Sequence, residues 1–367
     1  MRWLLIVGCW LASVGCWASS SQDTISIDTI TKPREISKIR QTIRGFDRLE
    51  DQWIEPQHYE FQVMGQITRT YESFTLSSNG QSVTLSPDSK TKVGPYFGWR
   101  WFFLGYTFDI KNIGFSQSGL KKEFDLSIYS SQVGVDLYYR RTGSDYKIRD
   151  VKLGQETRSD LFEGMPFDGV TVGITGVNAY YIFNHGRFSY PAAFAQSTCQ
   201  KVSCGSWMAG AGYTKNTLDL DHVKLQESLS SQMMQEVKLD SGMMFESIKY
   251  NDFMLSGGYA YNWVFAKNCL FCASFQLALA YKTSYGNVAD EKQKRGFNFD
   301  FEKVNLDGIG RFGMVYNNTR WFVGWSAIFR TNHYRTSRFK ANNIFGSLNA
   351  YVGYNFVLKK KYKKQKG

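Results

Sequence analysis

The sequence predicts an all-β protein, an antiparallel transmembrane β-barrel of about 14 strands within a range of roughly 12–16, since such barrels favour even strand numbers. Three observations predict this fold. Apolar residues recur at every second position over most of the chain, which is the period of a strand with two different faces. One face is bulky while the other is small or polar, and short turns alternate with long polar connections. The composition, with 16% aromatic residues and 33 glycines, excludes a disordered chain, which is poor in aromatics.

The chain begins with the pattern of a secretory signal peptide. Met1 and Arg2 form a short basic region, residues 3–17 are apolar or small, and Cys16-Trp17-Ala18 offers small residues at the positions that a signal peptidase reads. We predict a signal peptide over residues 1–18, cleavage after Ala18, and export to the outer membrane of a Gram-negative bacterium. A lipoprotein signal acylated at Cys16 is the alternative, although the usual Leu three positions earlier is missing.

Residues 19–56 are predicted to be a periplasmic N-terminal segment that contains a short amphipathic helix. The helix opens at Pro33 and carries an apolar stripe at three- and four-residue steps, formed by Ile36, Ile39, Ile43, Phe46, Leu49 and Trp53. We favour a helix packed against the rim of the barrel. A plug inside the lumen, or a gate at its periplasmic mouth, is the alternative.

The predicted barrel occupies residues 57–358, and its clearest strand lies at 252–265. In that stretch Phe253, Leu255, Gly257, Tyr259, Tyr261, Trp263 and Phe265 alternate with Asp252, Met254, Ser256, Gly258, Ala260, Asn262 and Val264. A membrane barrel points bulky apolar residues outward and keeps small or polar residues inside, whereas a soluble barrel does the reverse. The small, polar second face and the strand length of about ten residues favour the membrane barrel over a soluble sandwich.

Short turns and long loops alternate along this region. Tight turns are predicted at 200–202, 267–268 and 317–318, and longer polar links near 218–246, 286–296 and 333–342. This alternation is typical of outer-membrane barrels, which have short periplasmic turns and long outer loops. Candidate strands start near residues 57, 91, 101, 123, 132, 145, 169, 189, 203, 247, 270, 299, 320 and 344.

Four cysteines remain after removal of the signal peptide, in a compartment where disulfides form; they are Cys199, Cys204, Cys269 and Cys272. If residues 201–202 form a two-residue hairpin loop, Cys199 lies opposite Cys204 with their Cβ atoms about 5 Å apart. A disulfide between these two residues is therefore a candidate, and two free buried thiols are an equal alternative. No metal-binding or cofactor-binding motif is present, and no cofactor is expected.

The net charge of +12 includes six lysines in the terminal run 359–367, so half of the excess is a Lys-rich tail. A nucleic-acid-binding protein would spread a basic face through its fold, and nucleic acid is therefore not an expected partner. The expected partners are outer-membrane lipids and lipopolysaccharide, with the barrel-assembly machinery and periplasmic chaperones during biogenesis.

The alternation assigns a set of charged and amide residues to the interior of the barrel. These candidate pore-lining residues are Asp125, Asp136, Arg140, Asp252, Gln276, Lys282, Arg311 and Arg330. They either line an aqueous path, where inward charge tunes selectivity, or pair with one another and fill a closed interior. We favour the path, because about fourteen strands leave room beyond side-chain packing.

Four segments resemble a known family. They are residues 95–109 (PYFGWRWFFLGYTFD), 122–127 (KEFDLS), 134–140 (GVDLYYR) and 190–194 (YPAAF). They are similar to the family called domain of unknown function 4421, and the likeness covers roughly residues 30–358. The resemblance implies an outer-membrane barrel from the Bacteroidota; it implies no known activity and no catalytic residues.

We expect a passive channel or transporter for an unidentified small solute. The alternative is a structural or surface-interaction barrel whose outer loops bind a partner without transport. A lipid-modifying enzyme is a distant third. A serine hydrolase needs Ser and His with an orienting group. The one local candidate for it, Asn184-His185 near Ser189, is explained by a polar turn, so no catalytic residue is assigned.

Overall fold

The computed structural model describes residues 49–99, 102–105, 108–109, 122–142, 145–154, 156–157, 159–285, 304–336 and 338–363. The signal peptide, its cleavage site after Ala18, and most of the N-terminal segment lie outside these residues. Within them the predicted antiparallel β-barrel is confirmed.

Nineteen strands are present in the described chain. They are β1 (Ile54–Pro56), β2 (Tyr59–Ser78), β3 (Gln81–Pro87), β4 (Lys90–Trp99), β5 (Phe102–Gly105), β6 (Phe108–Asp109), β7 (Lys122–Tyr129), β8 (Val133–Arg141), β9 (Tyr146–Leu153), β10 (Glu156–Thr157), β11 (Met165–Phe167), β12 (Val170–Ile182), β13 (Thr198–Gln200), β14 (Cys204–Leu220), β15 (Ser247–Ala266), β16 (Cys269–Tyr285), β17 (Val304–Asn317), β18 (Trp321–Arg335) and β19 (Lys340–Leu358). The helices are α1 (Ser159–Phe162), α2 (Tyr190–Phe194), α3 (His222–Met233) and α4 (Lys360–Lys363), with a 3₁₀ turn at Ser241–Met243. None of the helices in the described residues is long and apolar enough to cross a membrane.

The barrel sheet is antiparallel throughout its described ladders. From β14 to β19 each strand pairs with the next in sequence, β19 pairs with β2, and β14 pairs back to β12. Strands β3 and β4 both pair with β2. Strand β8 pairs with β12, and β9 pairs with β11. Fourteen of the described strands have four residues or more, which agrees with the predicted number.

The ring of strands closes at one end of the barrel. Strand β3 pairs with β9 from Ser82–Lys152 to Pro87–Tyr146, which completes the circuit at the end opposite the chain termini. We call this the loop end, and the other the terminal end, because Tyr59 and Leu358 lie there as paired residues. Toward the terminal end β5 and β6 pair with β4, while β7 pairs with β8. Among the described residues no ladder joins β6 to β7.

The outer surface of the barrel is apolar. In β15 the predicted alternation is confirmed, since Leu255 is 71% exposed whereas Asp252 and Ala260 are fully buried. Exposed leucine and valine side chains cover the middle of the wall, and exposed aromatic residues collect toward the terminal end, namely Trp99, Phe183, Trp207, Trp263, Phe265, Tyr316 and Trp321. An apolar belt with an aromatic girdle is the outer face of a membrane-spanning barrel.

A plug fills the terminal end of the lumen. The plug is the connection between β12 and β14, residues 183–203. The strand predicted near residue 189 is wrong, since this segment forms a short helix instead. Helix α2 forms there because Ser189 caps it, accepting a hydrogen bond from the backbone of Ala192, and Pro191 occupies its first turn. Its residues Phe188, Tyr190, Ala192 and Ala193 are buried in one cluster with inward-facing wall residues, namely Met208, Ala260, Cys272, Val315, Phe322 and Tyr351.

A cap fills the loop end. The cap is the connection between β14 and β15, residues 221–246, and its apolar residues are Leu225, Leu229, Val237, Leu239 and Met243. They form one cluster with inward-facing residues of β2, β12, β14, β15, β18 and β19, such as Phe74, Val172, Leu218, Tyr250, Tyr334 and Phe345. The predicted long polar loop is therefore a folded element with its own apolar core.

The strap, residues 49–56, precedes the barrel. The predicted helical stripe included Leu49 and Trp53, but residues 51–53 form a turn and β1 follows it. Strand β1 pairs with β13 of the plug. At the other terminus Lys359 donates its backbone N–H to His58, and α4 turns the start of the Lys-rich tail into a short helix.

The exposed apolar wall predicts a strong penalty for charge. We expect Leu255→Arg to lower the free energy of unfolding by about 2–4 kcal/mol, because an arginine near the bilayer midplane must be desolvated. The measurement is reversible denaturant unfolding of the barrel refolded in phospholipid vesicles. Val223→Arg is the matched control, since Val223 is 56% exposed on α3 of the cap. A change below about 0.5 kcal/mol for Leu255→Arg, within the range of ordinary surface substitutions, would contradict the lipid-facing assignment.

Candidate functional site

The structure places seven of the eight candidate pore-lining residues inside the barrel and buries all seven. They are Asp136, Arg140, Asp252, Gln276, Lys282, Arg311 and Arg330. The eighth, Asp125, belongs to β7, but its side chain lies outside what the structure describes. The inward assignment therefore holds for these seven, and their surroundings decide between a path and a filled interior.

An inner ion cluster lies at mid-depth around Arg311. Its guanidinium is fully buried and donates a charge-assisted hydrogen bond to the carboxylate of Asp136. Arg330 brings its Nη2 atom to 3.4 Å from Oδ2 of the same carboxylate, and Ser127 donates its hydroxyl to Oδ1 at 2.7 Å. Two guanidinium groups on β17 and β18 thus share one carboxylate on β8.

Arg311 also contacts the plug. Its Nη1 atom donates to the Tyr190 hydroxyl at 3.3 Å, and that hydroxyl donates to Ser274 of β16 at 3.0 Å. The guanidinium carbon lies 5.0 Å from the ring centroid of Tyr180 and 5.9 Å from that of Tyr190, within cation–π range. The plug is therefore bound to the same side chain that holds the inner ion cluster together.

An outer ion cluster lies nearer the loop end around Lys282. Its ammonium nitrogen is 3.5 Å from Asp252 and 3.3 Å from Asp307, and it donates to the side-chain oxygen of Asn332. Asn216 donates to Asp252 at 3.0 Å. This cluster pairs one ammonium with two carboxylates, whereas the inner cluster pairs two guanidiniums with one carboxylate. The six ionic side chains together carry balanced charge.

The described ionic groups are paired, which favours the filled interior over the open path. Arg311 and Asp136 pair across the lumen, whereas Lys282 pairs with carboxylates on its two neighbouring strands. Asp307 and Asn332 complete the outer ion cluster and were missed by the sequence reasoning. The signal was available: Asp307 lies four residues before Arg311 and Asn332 two residues after Arg330 on their strands, so both share the inward face.

One side of the lumen is less filled. Gln66 and Thr68 on β2 are half-buried; each donates to the side-chain oxygen of Asn349 on β19, at 3.1 and 2.8 Å. Below them, at the terminal end, lies a cavity of about 560 Å³. Polar side chains and two aromatic rings line it, among them Gln57, Tyr59, Glu60, Phe61, Gln62, Ser197, Asn355 and Lys359. This side keeps a polar, water-accessible recess.

The predicted disulfide is absent, because its hairpin is wrong. Strand β13 pairs with β1, where Cys199 lies opposite Glu55, and Cys204 in β14 pairs with Asn262 of β15. Both cysteines are free thiols. The Cys199 thiol donates to the backbone oxygen of Asn317 at 3.5 Å, and burial, with the nearby Glu55 carboxylate, raises its pKa to about 12.

Ser189, the serine of the candidate enzyme site, lies at the start of α2 in the plug. The Ser189 hydroxyl lies 2.6 Å from the Thr198 hydroxyl and caps α2, and its backbone N–H donates to Gln200. In the described part of the chain no group of three or more His, Cys, Asp or Glu residues is arranged to hold a metal ion.

The cap is fastened to the wall by Asp240. Its carboxylate accepts hydrogen bonds from the Ser78 hydroxyl, from the Asn79 amide at 3.0 Å and from the backbone N–H of Gly242 at 2.9 Å. These donors favour the ionised form, so they lower the pKa of Asp240 below its ordinary value, the Ser78 bond contributing most.

This lowered pKa predicts a cap that loosens in acid. A carboxyl whose pKa is lower in the folded state stabilises it above the ordinary pKa and loses that effect as the pH falls through the lowered value. We expect Asp240→Asn to reduce hydrogen-exchange protection of residues 237–244 at pH 6, and the difference from the natural protein to shrink below about pH 4. Exchange rates corrected for intrinsic pH dependence measure this. A difference that stays constant down to pH 2 would contradict the ionic anchoring.

Among solved structures the chain is similar to the outer membrane protease OmpT from Escherichia coli, with 7% identity, a TM-score of 0.35, and coverage of 81% of this chain and 97% of that one. It is also similar to the translocator domain of the autotransporter NalP from Neisseria meningitidis, with 10% identity, a TM-score of 0.30, and coverage of 88% and 95%. For the outer membrane protein OprG from Pseudomonas aeruginosa the identity is 11%, the TM-score 0.24, and the coverage 82% and 98%.

None of these similarities transfers an activity to this chain, and no curated protein matches its sequence. The model of the family described as "Domain of unknown function (DUF4421)" matches residues 48–356, which is the whole barrel from the strap to the last strand. The chain therefore belongs to the DUF4421 family.

Proposed function

We propose that this protein is a closed, non-conducting barrel of the outer membrane that acts as a structural or surface-interaction protein. One observation carries the proposal: the centre of the lumen holds a fully buried ion pair, Arg311 with Asp136, between a plug on one side and a cap on the other. A passive pore needs a continuous water-filled lumen at this level. The proposal includes no enzymatic activity.

The apolar belt and its aromatic girdle support the placement in a membrane. Both ends of the barrel chain, Tyr59 and Leu358, lie at the terminal end, where the tight turns at residues 267–268 and 318–320 also lie. Short turns face the periplasm in such barrels, so the plug is periplasmic and the cap faces outward. Membrane lipids contact the belt, and the barrel-assembly machinery and chaperones are its partners during biogenesis.

The cap supports the surface-interaction role. It is a folded element that presents Val223, Met234 and Met244 to solvent, with Met234 95% exposed. Methionine side chains adapt to irregular apolar partners. A cap with its own core can hold these side chains in place.

A passive channel for a small polar solute is the second candidate. It is favoured by the half-buried Gln66, Thr68 and Asn349 and by the cavity of about 560 Å³ below them. Amide and hydroxyl groups of this kind suit an uncharged hydrogen-bonding solute. This candidate requires the plug or the cap to move.

Conductance of the refolded barrel in a planar bilayer separates the two candidates. We expect no steady current from the intact protein, because the plug, the ion clusters and the cap occupy the lumen. A variant in which residues 187–200 and 222–246 are replaced by short Gly-Ser turns, and Asp136 and Arg311 by alanine, is expected to conduct. Its current shows that silence of the intact protein is not failed insertion. Steady conductance of the intact protein would overturn the closed barrel and establish the channel.

A further inference from the structure

The plug is held at the terminal end by the strap. Strand β1 pairs with β13 through Ile54–Gln200, Glu55–Cys199 and Pro56–Thr198. The backbone N–H of Lys201 donates to Trp53 at 2.8 Å, and that of Glu50 donates to Gly186 at 2.9 Å. The strap therefore contacts the plug at both of its flanks.

An exposed ion pair completes this contact. The Nε atom of Arg187 lies 3.0 Å from both carboxylate oxygens of Glu50, and the guanidinium carbon lies 5.4 Å from the Trp53 ring centroid. The Arg187 side chain is 51% exposed and that of Glu50 37% exposed, so both are within reach of solvent and of other molecules on this face.

The plug is attached to the barrel wall by side chains instead of a strand ladder. Asn262 donates to the Ser189 backbone oxygen at 2.8 Å and to Gln200 at 3.1 Å, and Gln196 donates to the Tyr351 hydroxyl at 2.7 Å. Among the described strands β13 pairs with β1 alone. The plug can therefore leave the lumen while every described barrel ladder stays intact.

Departure of the plug would uncover the charged interior. Cys272 and Arg311 are both fully buried, Cys272 in the cluster that contains Tyr190 and Ala193, and Arg311 in contact with the Tyr190 hydroxyl. A free thiol therefore lies on the wall directly behind the plug, and another, Cys199, lies within the plug itself.

We propose that the strap is a latch, and that its detachment from β13 releases the plug and opens the lumen to the periplasm as far as Arg311. Segments outside the ladders of a sheet open more readily than the sheet itself, and among the described strands the only ladder of the plug is the one between β13 and β1 of the strap. This goes beyond the closed barrel of the proposed function, since it gives that barrel a regulated entrance, and it does not require conduction across the cap.

Native thiols test the latch. The probe is N-ethylmaleimide in membranes, with labelling of each cysteine followed by peptide mass mapping. Two variants are compared with the full chain: one lacks residues 19–56, and its matched control lacks 19–48 and keeps the strap. We expect loss of the strap to speed Cys199 labelling about tenfold or more, since exposure and a lower thiol pKa both favour reaction, and to make Cys272 reactive. Cys269, at the barrel end of the same strand, is the internal reference.

Each outcome decides the proposal. Fast labelling of Cys199 and Cys272 in the strapless variant, with the control like the full chain, supports the latch. Protection of Cys272 in the strapless variant shows that the plug stays seated without the strap and overturns it, as does an unchanged rate at Cys199. The planar-bilayer current is a separate readout, so a silent strapless barrel with reactive thiols leaves both the latch and the closed barrel standing.

A second pair of variants applies if the strapless chain does not fold. Glu50→Ala with Arg187→Ala is expected to speed Cys199 labelling about two- to fivefold, the range for a solvent-exposed ion pair. The charge exchange Glu50→Arg with Arg187→Glu is expected to restore the slow rate. Lys224→Ala, which removes the exposed ion pair between this cap residue and Asp168, is the matched control. Equal rates in all these variants would overturn the latch.

Discussion

The structure depends on keeping Arg311 neutralised inside the barrel. A guanidinium is always charged, and leaving it buried without a partner costs several kcal/mol. Strand β17 turns this side chain inward by alternation, so the fold has to supply a carboxylate, which is Asp136 on β8. That pair joins two strands that are not neighbours in the sheet and sets how closely opposite walls approach.

The closed ends follow from the same arrangement. The Tyr190 hydroxyl that reaches Arg311 belongs to the plug, so satisfying the guanidinium draws the β12–β14 connection into the lumen. Arg330 also contacts Asp136, and its guanidinium carbon lies 4.9 Å from the ring centroid of Tyr138. Tyr138 belongs to the apolar cluster that contains the cap residues. Polar groups therefore occupy the middle of the lumen, and apolar clusters occupy both ends.

The sequence predicted the features that depend on local backbone geometry. Alternation along a strand depends on backbone geometry alone, so it predicted the barrel, the outward face of β15 and the inward side of Arg311, Lys282 and Asp252. It could not predict their pairing, because Arg311 and Asp136 are 175 residues apart and periodicity does not report contacts across a lumen. The prediction of an aqueous path rested only on the shared inward face of these residues, without knowledge of their partners.

The errors have identifiable causes. The strand predicted near residue 189 is wrong, because Ser189 and Pro191 form the cap and first turn of a helix there. The cysteine hairpin failed because β13 found its partner in β1, which is a non-local pairing. Strand β3 was missed because it continues into β4 after a short interruption at residues 88–89, so the predicted strand began at the second half.

A double-mutant cycle between Asp136→Asn and Arg311→Gln tests the central claim most directly. Unfolding free energies of the natural protein, both single variants and the double variant in vesicles give the coupling between the two side chains. If this buried pair organises the lumen, each single variant loses about 3–5 kcal/mol, the double variant loses much less than their sum, and the coupling exceeds about 1.5 kcal/mol. Additive losses, within about 0.5 kcal/mol of their sum, would show that the two groups act independently and would contradict the account.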